Sequence, residues 1–178
     1  MMKTWAALIR GIGPTTHGRM SMVDLRTAAE RAGLADVRTV LATGNLLFSA
    51  EGERDGVLRR VGTVIEGFGL TENPAILRDR AELLAMRDTC PFADAAEARP
   101  SKLLAVCLAG PAKGDAVEML ESHAGAERLA LVGDTLWIDY VDGVGRSPLT
   151  PARIDRATGV AGTARNWNTL GRLIAAMS

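Results

Sequence analysis

Short apolar runs alternate along this chain with segments whose apolar residues recur every three or four positions. In the first half, the runs predict four strands, at Thr4–Ile9, Val37–Leu41, Leu46–Ser49 and Pro74–Arg78. Gly44-Asn45 between the second and third strands is a hairpin dipeptide. With one helical segment after the first strand and another after the third, the order is β-α-β-β-α-β, the split unit of ferredoxin-like folds.

Capping residues give the predicted helices of this half their ends. Ser21 and Asp24 form a capping box, and Gly33 ends the helix that they begin. A second helix is predicted from about Arg54 to Phe68. A third, capped by Asp79 and Glu82, is predicted to run to about Asp88.

The second half repeats this order up to a point. Its predicted elements are a strand at Leu103–Leu108, a helix at Lys113–His123, and strands at Leu129–Val132 and Leu136–Tyr140 around Gly133-Asp134. The pattern then breaks into two helices. One is capped by Thr150, starts at Pro151 and ends near Gly159, and the other begins around Trp167.

We therefore predict an α+β fold of two ferredoxin-like, βαββ-type halves with additional C-terminal helices. The first half would span 1–90 and the second 100–178, with the loop Pro91–Ser101 as the boundary between them. Two halves of this size can also share one core and form a single compact unit.

Composition favours a folded protein, because 47% of the 178 residues are hydrophobic and 24% are charged. The net charge is zero, which disfavours a dedicated nucleic-acid binder. Charge is uneven, however, since residues 143–178 hold five arginines, one aspartate and no lysine. Arginine forks suit carboxylate or phosphate, and paired surface arginines are the alternative interpretation.

The two cysteines, Cys90 and Cys107, make neither a disulfide framework nor a zinc site. We predict a cytoplasmic protein with no bound metal. No signal peptide is expected at the start of the chain, and no apolar run is long enough to predict a membrane span.

Polar residues follow the first strand and precede the third. In a βαββαβ unit these two strands are antiparallel neighbours, so Arg10 and Gly11 are predicted to lie beside Thr43 and Asn45. A cation, glycines, an amide and a nearby helix N-terminus suit an anionic group. Alternatively, these residues simply form turns, which favour Gly and Asn.

Two C-terminal segments carry further candidate ligand-binding residues. The Gly-rich loop Asp142–Thr150 contains Arg146 and Ser147, and the run Arg165–Thr169 contains Arg165 and Asn168. We predict that these side chains face a cleft shared with Arg10. In the alternative interpretation the second segment is structural: Asn166 or Thr163 caps the last helix, Trp167 anchors the core, and Arg165 pairs with a carboxylate.

No catalytic motif is recognisable, and neither of the two histidines, His17 and His123, lies in one. The leading hypothesis is a protein that binds a small anionic or phosphate-bearing ligand and has no cofactor. An enzyme that stabilises charge with arginine and backbone donors is a second hypothesis. A structural or protein-interaction module is a third, and RNA binding is a weaker fourth.

Five motifs together resemble a family of short bacterial proteins, the domain of unknown function 1697 family. They are the opening Arg10-Gly11-Ile12, the helical Met22–Arg26, the Val37–Phe48 segment with Thr43-Gly44-Asn45, the loop Asp142–Thr150, and Thr163–Thr169. The resemblance implies a two-part α+β fold of ferredoxin-like character and supplies no activity. The loop after Ile12 departs from the family pattern, with Gly13-Pro14 where the family has Asn and Val. A ligand that the family held through that Asn would therefore be bound differently here or not at all.

Overall fold

A computed structural model describes residues 1–178 and divides the chain into two compact units. The first unit comprises Met1–Leu83 together with Arg172–Ser178, and the second comprises Leu84–Gly171. Each unit contains one four-stranded antiparallel sheet. The predicted α+β class is therefore confirmed.

The first unit contains the βαββαβ order that the sequence predicts. Its elements are β1 (Lys3–Ile9), α1 (Met22–Arg31), β2 (Ala35–Thr39), β3 (Asn45–Ala50), α2 (Arg54–Glu66), β4 (Ala75–Arg78) and the start of α3 (Arg80–Asp88). The strands lie in the order β2-β3-β1-β4, so β1 pairs with β3 as expected. Alternate residues of β1 and β3 pack against buried residues of α1 and α2, and this layer is the core of the unit.

The predicted caps of this unit are present. The Ser21 hydroxyl accepts a hydrogen bond from the backbone N–H of Asp24, at 3.0 Å. At α3, Asp79 and Glu82 form a reciprocal capping box, in which each carboxylate accepts the other residue's backbone N–H at 2.8 Å. These bonds satisfy donors that the first turn of a helix leaves without intrahelical partners.

The second unit contains a complete βαββαβ order, which the sequence only half predicts. Its elements after α3 are α4 (Ala93–Ala98), β5 (Leu103–Leu108), α5 (Ala116–Glu121), β6 (Arg128–Val132), β7 (Thr135–Asp139), α6 (Pro151–Thr158), β8 (Gly162–Asn166) and the start of α7 (Trp167–Ala176). The strand order β6-β7-β5-β8 repeats the order of the first sheet.

Two expectations for this unit were wrong. The pattern does not break after β7, because α6 and β8 supply the missing helix and edge strand, and β8 pairs with β5 along its whole length. The segment predicted as a loop between Pro91 and Ser101 contains the short helix α4. The predicted boundaries of α6 are confirmed, with Thr150 as its N-cap and Gly159 in the left-handed conformation after it.

No helix in the structure is both long enough and apolar enough to cross a lipid bilayer. The longest helix, α2, has 13 residues, whereas a bilayer-spanning helix needs about 20.

Equivalent backbone hydrogen bonds hold the C-terminal ends of β1 and β5 in the two units. In the first unit, Ile9 N donates to Gly44 O at 2.8 Å and Arg10 N donates to Pro74 O at 2.9 Å. In the second unit, Leu108 N donates to Asp134 O at 2.9 Å and Ala109 N donates to Ala161 O at 2.9 Å. The two units thus share a framework, and Arg10 and Ala109 occupy equivalent positions in it.

Gly44 is required by both conformation and space. Its φ is +84°, and a Cβ atom there would lie 2.8 Å from Ile12 Cγ1 and 2.9 Å from Ile9 O. Because Ile9 and Ile12 are buried in a close-packed core, neither can move away without disturbing the packing around it. The close approach brings the segment Ile9–Ile12 against the turn before β3.

We predict that Gly44→Ala lowers the free energy of unfolding by about 2–4 kcal/mol, through left-handed strain and overpacking together. Gly33→Ala is the matched control in the same unit, because its φ of +81° is nearly the same and nothing lies within 4 Å of its Cβ position. Urea denaturation should give about 1–2 kcal/mol for the control. Equal losses in the two variants would show that the contact with Ile9 and Ile12 is unimportant.

A buried carboxylate ties α4 to the sheet of the second unit. Asp139, on β7, is fully buried. Its Oδ1 accepts a hydrogen bond from Arg99 Nε at 2.8 Å, and its Oδ2 accepts one from Arg128 Nε at 2.9 Å. Arg128 also pairs with Asp94 of α4 at 2.7 Å and stacks over the ring of Phe92. The bond from Arg99, followed by that from Arg128, holds the pKa of Asp139 below its usual value, although burial acts in the opposite direction.

We predict that Asp139→Asn lowers the free energy of unfolding by about 2–4 kcal/mol at pH 7, because it removes the buried anion shared by two guanidinium groups and leaves them only the exposed Asp94. A depressed carboxyl pKa contributes stability that is present above the unfolded-state value of about 3.9 and is lost as pH falls through the folded-state value. The difference between wild type and variant should therefore shrink below about pH 4.

Urea denaturation between pH 7 and pH 3 measures this difference. Asp94→Asn is the control, since Asp94 is solvent-exposed and should matter much less. A difference for Asp139→Asn that stays constant over this range would contradict the assigned role of its charge.

Candidate functional site

Two segments of the first unit contact the turn that precedes β3, and a third segment contacts Arg10. Gly44 contacts the segment Ile9–Ile12, as described above. His17 Nε2 lies 2.8 Å from Ala42 O, which joins the loop before α1 to the same turn. Asn73, just before β4, donates from Nδ2 to Arg10 O at 2.8 Å. These contacts bring the segment with Arg10 and Gly11 against the turn with Thr43 and Asn45, as the pairing of the first and third strands predicts.

Asn45 has a clear structural role in the turn. Its side chain is fully buried, and Nδ2 donates to Val40 O at 2.9 Å and to Thr43 Oγ1 at 3.2 Å. The backbone closes the same turn, because Val40 N donates to Asn45 O at 3.0 Å. Asn45 thereby fixes the position of Thr43.

The other candidate residues of this unit reach solvent. Thr43 and Gly11 are exposed, and Arg10 is half-buried at the end of β1. Gly11 has a φ of +74°, and a Cβ atom there would lie 2.9 Å from Asn73 Nδ2. A side chain at this position would therefore disturb the bond from Asn73 that holds the Arg10 carbonyl.

In the second unit, the loop with Arg146 and Ser147 is anchored by its last residues. Residues Val144–Arg146 form one turn of 3-10 helix, and Arg146 is exposed. Ser147 Oγ accepts a hydrogen bond from Leu149 N at 3.1 Å. Hydrogen bonding to Ser147 also lowers the pKa of Glu127. Leu149 packs into the apolar cluster of the unit, and its carbonyl accepts a hydrogen bond from Tyr140, whose pKa burial raises to about 12.

Arg165 lies on β8, opposite Ala105 of β5, and is 8% exposed. Its Nη1 donates to Thr163 Oγ1 at 2.9 Å and to Ala164 O at 2.8 Å. Burial lowers the pKa of this guanidinium to about 10, with a smaller opposing contribution from Cys107. Arg165 is thus a buried cation held by neighbours on its own strand.

The sheet separates the side chain of Arg165 from Leu149, the residue that anchors the loop of Arg146 and Ser147. Leu149, at the end of that loop, packs in the cluster that contains Val106 of β5. Arg165 pairs with Ala105, the preceding residue of β5, and successive side chains of a strand point to opposite faces. The structure therefore does not bring the Arg165 guanidinium together with the Leu149 end of the loop.

The remaining residues of the Arg165–Thr169 run lie at the start of α7. Asn166 caps this helix, since its Oδ1 accepts the backbone N–H of Thr169 at 2.9 Å, as one of the alternatives predicted. Trp167 is half-buried, with its ring centroid 6.1 Å from that of Trp137 and the guanidinium of Arg87 5.4 Å above it. Asn168 is exposed.

Sequence reasoning missed Asn73 and the Asp139 network. For the Asp139 network, the one signal in the sequence is an aspartate inside the apolar strand Leu136–Tyr140. For the contact with Arg10, the one signal is an Asn directly before Pro74. Nowhere do three or more His, Cys, Asp or Glu side chains form a group that could hold a metal ion.

We predict that Arg165→Ala lowers the free energy of unfolding by about 2–4 kcal/mol, because it removes a packed stem and leaves Thr163 without its donor. Asn168→Ala is the control from the same run, and as an exposed position it should change stability by no more than about 0.5 kcal/mol. Thermal and urea denaturation measure both. Unchanged stability in Arg165→Ala would argue against a structural role and favour a site.

The fold has a solved relative. The chain is similar to a structure described as that of the conserved bacterial protein SP0830 from Streptococcus pneumoniae, with a TM-score of 0.74, 17% identity and 99% of each chain covered. At this identity the likeness concerns the fold alone. No curated protein matches the chain.

A family model matches residues 2–137, which is more than half of the chain. The matched range includes the Arg10-Gly11-Ile12 loop and the Thr43-Gly44-Asn45 turn. The two closing motifs, in Asp142–Thr150 and Thr163–Thr169, lie beyond it, so their resemblance stays a prediction. The chain belongs to the family described as protein of unknown function (DUF1697).

Proposed function

We propose that this protein binds a small anionic ligand at the loops that follow β1 and precede β3. Arg10 would supply the charge, and the Thr43 hydroxyl and the backbone around Gly11 would supply further donors. The contact of Ile9–Ile12 with Gly44 supports the proposal, because it sets the loop of Arg10 against the turn of Thr43.

One observation carries the proposal, namely the residue found at the equivalent position of the second unit. The same two backbone bonds hold Ala109 there as hold Arg10 in the first unit. The framework therefore does not need a guanidinium at this position. Arginine at a position that alanine can occupy points to a task other than holding the fold, and anion binding is the task that suits its chemistry.

The candidates of the second unit are separate predictions. We also propose Arg146, Ser147 and Asn168 as ligand-binding residues; Arg146 and Asn168 are exposed and Ser147 is half-buried.

A cytoplasmic location is also part of the proposal, because the two free thiols, Cys90 and Cys107, suit a reducing compartment.

A structural role for the Arg165–Thr169 run is a second candidate, favoured by a specific observation. Arg165 is buried among partners of its own strand, and Asn166 caps α7. In this interpretation the run locks the last helix in place, and the denaturation of Arg165→Ala described above tests it.

The binding proposal is tested by titrating ¹⁵N-labelled protein with inorganic phosphate and with acetate at constant ionic strength. We expect saturable shifts of the backbone amides of Gly11, Thr43 and Gly44 with at least one of these anions. Arg10→Ala should weaken this binding at least about tenfold and should still fold, since it reproduces what the second unit has.

Arg59→Ala is the matched control, because Arg59 is exposed on α2 and its loss removes the same charge. It should leave the affinity unchanged. If neither anion shifts these amides, or if the two variants weaken binding equally, this site does not bind anions.

A further inference from the structure

A small pocket lies between α5 and α6 in the second unit. Its volume is about 110 Å³, and six residues line it: Met119, Leu120, His123, Arg153, Arg156 and Ala157. None of these residues belongs to the motifs that the sequence singled out as a site.

The floor of this α5–α6 pocket is apolar and rigid. Leu120 is fully buried and Ala157 is 3% exposed, and both belong to the apolar cluster of the unit. An apolar floor excludes water from one side, so charges at the rim act through a lower dielectric than on an open surface. Met119, which is 40% exposed, forms a flexible part of the wall.

The rim of the pocket carries cationic groups and no carboxylate. Arg153 and Arg156 lie three residues apart on α6, which puts them on the same side of that helix. His123, two residues after the end of α5, lines the same pocket. Two guanidinium groups at one opening give a site that attracts anions and repels cations.

The side chains that line the rim have N–H donors that are not used within the protein. Arg153 is oriented by one hydrogen bond, from Nη1 to Pro148 O at 3.0 Å, and a guanidinium has five N–H donors in all. The side chains of Arg156 and His123 make no hydrogen bond or ion pair within the protein. The pocket therefore holds N–H donors that the protein itself does not use, and the bond to Pro148 O partly fixes the orientation of one of the two guanidinium groups.

We propose that the α5–α6 pocket binds a phosphoryl oxyanion, either free phosphate or the phosphoryl group of a small phosphomonoester. A cavity of 110 Å³ has several times the volume of about 30 Å³ that one water occupies. It is thus large enough for a tetrahedral oxyanion. Two guanidinium forks match the paired oxygens of such an anion better than a point charge would.

This site is distinct from the one under Proposed function and does not depend on it. It lies in the second unit and uses Arg153, Arg156 and His123, whereas the earlier proposal uses loops of the first unit. The two proposals therefore fail independently and are tested by different variants and different signals.

The experiment is a titration of the ¹⁵N-labelled full chain with inorganic phosphate, followed by heteronuclear NMR at pH 7 and constant ionic strength. We expect saturable shifts of the amides in 120–123 and 153–157. The double variant Arg153→Gln/Arg156→Gln should lower the affinity at least about tenfold. Gln keeps part of the stem and a donor, so the helix and its packing should persist, which the dispersion of the spectrum checks.

Arg59→Gln, an exposed arginine of the first unit, is the matched control and should leave these shifts unchanged. Arg10→Ala should do the same, which separates this pocket from the loops of the first unit. A parallel titration with methyl phosphate distinguishes the sources, since tighter binding than phosphate assigns the pocket to a phosphomonoester and equal or weaker binding assigns it to free phosphate. The proposal is overturned if neither anion gives saturable shifts in 120–123 and 153–157, or if the double variant binds as wild type does.

Discussion

The antiparallel pairing of the first strand with the third determines the rest of each unit. β1 pairs with β3, and β5 pairs with β7 in the same way. This pairing forces each helix to cross between strands on the same face of the sheet, so the two helices of a unit become neighbours. It also sets the exit of the first strand beside the turn that enters the third. Both candidate sites follow from it, one at a strand exit and the other between two crossover helices.

The charged residues fall into two groups: buried ones that are paired within the protein, and exposed ones that can bind a ligand. The net charge of the chain does not distinguish these groups. Asp139 and Arg165 lie on buried faces, where an unpaired charge is costly, and each is held by partners within its own unit. Arg156 lies in the same arginine-rich segment as Arg165, yet it is exposed and its side chain makes no hydrogen bond or ion pair within the protein. The excess of arginine in residues 143–178 is therefore partly structural and partly available to a ligand.

The sequence predicts most of the elements because their ends carry local signals. Ser21, the Asp79–Glu82 pair and the Thr150-Pro151 start act within one helical turn, so the chain encodes them without help from distant residues. β8 was missed because Gly162–Asn166 is small and polar, and only its pairing with β5 makes it a strand.

The candidate sites were predictable to different degrees for the same reason. The topology of a βαββαβ unit alone places Arg10 near Gly44, so the sequence predicts that neighbourhood. The α5–α6 pocket joins His123 to residues thirty or more positions away, and no local motif marks it. Whether a motif residue is buried is equally invisible in one sequence, which is why Arg165 could be grouped with Arg146.

The comparison of the two units shows where a repeated framework leaves room for function. In the first unit the crossover helices α1 and α2 have 10 and 13 residues, and in the second α5 and α6 have 6 and 8. Shorter helices cover less of the sheet, since each residue adds only about 1.5 Å of length. The pocket lies between the two shorter helices, and Arg153 and Arg156 line it. The same framework thus presents a cation at a strand exit in one unit and cations between helices in the other, without any change in strand order.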